Sequence, residues 1–178
     1  MTYIAFLRGI NVGGHNVKMA VLRDIFSSLG FSNVRSYINS GNIFFNSSST
    51  DKPMLTQTIE AALKGALGYD VPTFLRTTEE INAILEQEPF KDITLDSDKR
   101  FCVLFTSEHI RSDLQLPISS SKNDMELIGV GQYEAYIVWR IINGRPPSGK
   151  FGGNILPSST TTRFYHTLLK IQAAAKSS

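Results

Sequence analysis

The chain has 178 residues, with 18 Lys and Arg against 16 Asp and Glu and a formal net charge of +2. That balance carries no overall nucleic-acid signature. Hydrophobic residues make up 42% of the chain, enough for a packed core in one domain or two small ones, and no apolar run approaches a membrane-spanning length.

Thr2 to Leu7 reads as an apolar strand that runs into the loop Arg8-Gly9-Ile10-Asn11-Val12-Gly13-Gly14. Asn16 is a candidate N-cap for a helix from about Val17 to Leu29, with Met19, Leu22, Ile25, Phe26 and Leu29 at helical spacing and Gly30 as its stop. Val34 to Phe45 reads as a long strand interrupted by Asn39-Ser40-Gly41-Asn42, either a bulge or a tight turn. Asp51 is placed to cap a second helix ending near Leu67, with Gly68 after it. Val71 to Arg76 is a further strand, with Pro72 at its start or on an edge. The order is β-α-β-α-β or, if Gly41 marks a true turn, the ferredoxin-like β-α-β-β-α-β.

The second half opens on a capping box, Thr77 and Glu80, ahead of a short helix that Pro89 stops. Phe101 to Thr106 reads as a strand, and its single cysteine, Cys102, as a buried inert thiol. One cysteine excludes a disulfide framework within the chain and fits a reducing compartment. Met125–Val130 and Tyr133–Ile142 read as a hairpin about Gly131, followed by a basic, Gly- and Pro-rich loop from Asn143 to Asn154. A last helix is expected after Thr161, carrying Phe164, Leu168 and Ile171 and placing Arg163 at its N-terminus. The start of the chain shows no basic leader region, so a cytoplasmic location is expected.

Three blocks carry a resemblance. The first is Leu7 to Gly14 with Val17 to Ala20 and Leu22-Arg23. The second is Leu29-Gly30-Phe31 with Val34 to Phe45. The third, weaker, is Thr161-Thr162-Arg163 with Thr167, Leu169 and Lys170. Together they resemble the bacterial domain-of-unknown-function family 1697. The resemblance implies an α+β fold of two ferredoxin-like plaits, with antiparallel or mixed sheets and helices on one face. It implies a division into residues 1–78 and 79–178, the second a plait-like subdomain. It supplies no reaction, substrate or cofactor. After Arg163 the family tends to place Asn and often Trp, whereas Phe164, Tyr165 and His166 follow here.

The glycine loop is the leading candidate site. Gly9 and Gly14 have P-loop spacing, but His15 and Asn16 stand where Lys and Ser/Thr are required. Loop amides before a helix still suit an anion, with Arg8 and Lys18 adding charge. The expected ligand-binding set is Arg8, Asn11, Gly13, Gly14, Lys18, Asn39, Ser40, Gly41, Asn42 and Arg163. The alternatives are a plain connecting turn at the glycines and a structural bulge at Asn39–Asn42. The expected partner is an anionic small molecule, phosphorylated or nucleotide-like, or a nucleic-acid backbone, without a membrane. A protein-interaction or homodimerisation module without catalysis is a second expectation, and an enzyme using His15 and His166 for acid–base work a third. The three histidines lack ligand spacing, so no metal is expected, and no motif calls for a cofactor.

Overall fold

Thr2–Leu7 (β1) is a run of apolar residues, and it takes the central position that such a run demands. It pairs antiparallel with Asn42–Asn46 (β3) on one side and Thr73–Thr77 (β4) on the other, and Ser32–Ser36 (β2) pairs with β3. The sheet order is β2-β3-β1-β4. Met19–Ser28 (α1) and Lys52–Leu67 (α2) occupy the two crossovers. The order is therefore β-α-β-β-α-β, the ferredoxin-like plait, and the interruption near Gly41 is a turn between two strands rather than a bulge in one. This computed structural model describes residues 1–38 and 40–176.

Alternation along the strands sends Tyr3, Ala5, Leu7, Ile43, Phe45 and Leu75 to the face that meets Leu22 and Phe26 of α1 and Leu55, Ile59 and Leu63 of α2. Phe45 is the hub, with ring centroids 5.4 Å from Tyr3, 5.4 Å from Phe26 and 4.4 Å from Phe31. Helix ends follow local rules in part. The Asp51 carboxylate accepts from the Met54 amide at 3.0 Å, and Gly68 closes α2 in the left-handed region at φ +82°. Gly30 ends α1 as expected, its amide donating to the Ser27 carbonyl at 3.0 Å. The start of α1 differs from expectation. Asn16 does not cap it; Lys18 holds the N-cap position with no side-chain cap bond, and the helix begins at Met19.

Thr78–Glu86 (α3) begins on the capping box. The Glu80 amide donates to Thr77 Oγ1 at 3.2 Å, and the Thr77 amide donates to Glu80 Oε2 at 2.8 Å. Glu80 also pairs with Lys52.

Contacts divide the chain into two units, one of Met1–Asn82 with Ile171 onward, the other of Ala83–Lys170. The second unit holds Lys99–Thr106 (β5), Ile118–Ser119 (β6), Met125–Val130 (β7), Glu134–Arg140 (β8) and Thr160–Phe164 (β9), in the antiparallel order β6-β7-β8-β5-β9. Cys102, Leu104, Leu127, Ala135 and Ile137 form one of its buried clusters. The fold is α+β with two antiparallel sheets. The ferredoxin-like order is that of the first unit; in the second, β5 to β9 follow one another with no helix between them among the described residues.

The last helix, Tyr165–Lys176 (α4), starts later than helical spacing suggests. Thr160, Thr161 and Thr162 are β-branched and pair with β5, so Arg163 sits in a strand opposite Val103 and not at a helix N-terminus. The Gly- and Pro-rich loop is also more ordered than its composition suggests. Asp124 accepts from the Ser120 hydroxyl at 2.7 Å and from the Ser148 and Gly149 amides at 2.7 and 2.9 Å. That clamp ties the loop to the turn before β7. Among the described residues no helix is long and apolar enough to cross a membrane.

Candidate functional site

The loop from Arg8 to Lys18 leaves β1 between two fixed points. The Leu7 amide donates to the Gly41 carbonyl at 2.8 Å, and the Arg8 amide donates to the Pro72 carbonyl at 2.9 Å. The glycine loop and the β2–β3 turn, distant in sequence, are thereby brought together. Gly41, at φ +71°, approaches so closely that a Cβ there would lie 3.1 Å from Leu7 Cβ and 3.2 Å from the Leu7 carbonyl oxygen.

The loop backbone is left-handed at Gly9, Asn11, Gly13 and Gly14, with φ of +80°, +59°, +60° and +89°. Glycine meets that demand without steric cost, and asparagine is one of the few other residues that tolerates it. The Asn11 carboxamide oxygen accepts the Val17 amide at 2.7 Å. This bond folds the loop back on itself just ahead of α1. Gly13 and Gly14 are exposed, and among the described residues neither amide donates to a protein acceptor. Arg8 and Lys18 are exposed, and among the described residues neither is paired with a carboxylate.

Other members of the expected set point inward. Asn42 is fully buried, and its Nδ2 donates to the Tyr37 carbonyl at 3.2 Å and to Ser40 Oγ at 2.7 Å. It organises the turn. Gly41 is buried, Ser40 is exposed, and Asn39 lies outside the described residues. Arg163 belongs to the second unit, where its Nη1 donates to Thr161 Oγ1 at 2.9 Å and to the Thr162 carbonyl at 3.0 Å. Burial lowers its pKa to about 10.

Of the two histidines suited by chemistry to acid–base work, His15 stacks on Tyr69 with centroids 3.8 Å apart, in the first unit. His166 stacks on Phe164 at 5.6 Å, in the second. The Tyr69 hydroxyl is buried with no partner among the described residues. Neither the His15–Tyr69 stack nor the Asp124 clamp is legible in the sequence, since both join residues far apart in the chain. Burial alone drives the Cys102 thiol up to about 12, which removes it as a nucleophile.

A ferredoxin-like plait carrying a glycine loop, joined to a second antiparallel α+β unit, defines the class. The chain belongs to the family described as protein of unknown function (DUF1697), whose model matches residues 1–136. It is similar in structure to the conserved bacterial protein SP0830 of Streptococcus pneumoniae, with 27% sequence identity, 98% of each chain covered and a TM-score of 0.67. Comparison with curated proteins gave no match.

Proposed function

We propose that the loop from Arg8 to Lys18 binds an anionic group, phosphorylated or nucleotide-like, held by the Arg8 and Lys18 charges and the Gly13 and Gly14 amides. One observation carries the reading. Two exposed cations without carboxylate partners, and two exposed amides without acceptors among the described residues, share one loop. Asn11, Gly41 and Asn42 shape that loop from behind, through the bonds described above. The reading places the protein in the cytoplasm, on its single, buried cysteine.

The test is calorimetric titration at low salt with inorganic phosphate, adenosine mono- and triphosphate and a short oligonucleotide. Arg8→Ala and Lys18→Ala should each weaken binding about tenfold or more, as expected for hydrogen bonds to charged groups. Absence of binding in the wild type, or affinity indifferent to Arg8→Ala, removes the proposal.

A further inference from the structure

The second unit contains an aromatic-walled cavity independent of the glycine loop. Phe90 and Phe101 lie parallel, with centroids 4.6 Å apart and 3° between their planes, and Tyr165 meets Phe90 edge-on at 5.1 Å. Phe90, Phe101 and Tyr165 line a cavity of about 540 Å³. Small-molecule sites commonly span roughly 300–1,000 Å³. The opening has a topological cause. Pairing of β9 with β5 stops at Phe164 opposite Cys102, and the chain turns off into α4. Lys99 to Phe101 therefore extend past the end of β9. Leu95 and Leu169 also line the cavity, and they stand 60% and 45% exposed. Large aliphatic side chains left in water around a concave aromatic surface mark unmet apolar area.

Charge at the rim selects what fills it. Lys99 is occupied by Asp96 at 2.7 Å. Arg100 is different. Its Nη1 donates to the Ser97 and Lys99 carbonyls at 2.8 and 2.6 Å, which anchors the guanidinium from one side. Its Nε and Nη2 have no acceptor among the described residues. That edge is the two-pronged donor that matches a carboxylate, sulfonate or phosphate. Lys91 adds an exposed ammonium without a carboxylate partner among the described residues. Three cations, Lys91, Lys99 and Arg100, face two carboxylates, Glu88 and Asp96.

We propose that this cavity binds a small planar aromatic anion, its ring against Phe101 and Tyr165 between Leu95 and Leu169, its anionic group on the Nε–Nη2 edge of Arg100. The probe is anilinonaphthalene sulfonate, with the uncharged phenylnaphthylamine as its neutral counterpart, followed by fluorescence titration. Near-ultraviolet circular dichroism confirms that each variant is folded. The wild type should bind the sulfonate at a single saturable site. Arg100→Gln should weaken the sulfonate about tenfold or more while leaving the neutral dye within about twofold. Leu169→Asp should weaken both dyes, and Arg8→Ala neither. Three results overturn the proposal: no saturable binding by the wild type, equal loss of both dyes in Arg100→Gln, or loss of the sulfonate in Arg8→Ala. The last would move the dye to the glycine loop, so failure here is separable from failure of the phosphate reading.

Discussion

Replacing Gly41 by alanine tests whether the β2–β3 turn and the glycine loop are locked together. Two costs add. At φ +71° an L-residue pays roughly 1–2 kcal/mol for the left-handed conformation. The new Cβ would also sit 3.1 Å from Leu7 Cβ, 3.2 Å from the Leu7 carbonyl oxygen and 3.3 Å from Ile10 Cβ. Overpacking of that kind costs about 1–3 kcal/mol, because buried Leu7 and Ile10 have little room to retreat. The sum is about 2–5 kcal/mol. Gly14→Ala is the control, since φ is +89° there but no atom lies within 4 Å of the added carbon. It should cost only the conformational part, about 1–2 kcal/mol. In a chain of this size each kcal/mol moves the melting temperature by roughly 2–4 °C. Scanning calorimetry of the two variants should therefore separate them by roughly 2–12 °C, with Gly41→Ala the lower. Equal destabilisation would refute the reasoning, because crowding against Leu7 would then cost nothing.

Thr77→Ala should destabilise the protein by about 1 kcal/mol through loss of the α3 cap, read from the urea midpoint; no shift would show the capping box to be idle. Asp124 gives an acid-side prediction. The Ser120 hydroxyl and then the Ser148 amide hold its carboxyl at about 2, against an ordinary 3.8. Its folded pKa lies below its unfolded one, so the stability it contributes is present above about pH 4 and drains as pH falls toward about 2. Asp124→Asn should flatten the fall in urea midpoint across that window, and an unchanged slope would exclude the clamp as its source. The Cys102 thiol, buried and pushed up to about 12, should resist a disulfide reagent at mildly alkaline pH until denaturant is added; prompt labelling of the native protein would contradict its burial.

Features set by near neighbours in the chain are legible from the residues alone. The Asp51 cap, the Gly68 stop and the Thr77–Glu80 box each need only residues within one helical turn, and each is formed. Expectation fails where a partner beyond one helical turn decides. Asn16 has the chemistry of a cap, but Asn11, six residues upstream of Val17, takes the Val17 amide. Phe164, Leu168 and Ile171 keep helical spacing, yet Phe164 is held in a strand by its pairing with Cys102. At the candidate site the glycines are legible because left-handed backbone is a local demand. The inward turn of Asn42 is not, because burial depends on what packs around a residue. Phe90, Phe101 and Tyr165 carry no mutual signal in the sequence, and only the early end of β9 makes them walls of one cavity.

The division of the chain within α3 and again within α4 bears on how the protein is made. The first unit is discontinuous. It needs Ile171, which is fully buried, and Gln172, whose amide donates to Asn82 Oδ1 at 2.7 Å. Arg35 of β2 likewise donates to the Ala174 carbonyl at 3.3 Å. A ribosome has therefore released the whole plait sheet well before the residues that finish its unit exist. The second unit is continuous from Ala83 to Lys170 and ends one residue before Ile171. Cutting the gene after Asn82 would yield not a minimal plait but one lacking its last helical turns, whereas a circular permutant joining those turns to the start would make the first unit contiguous.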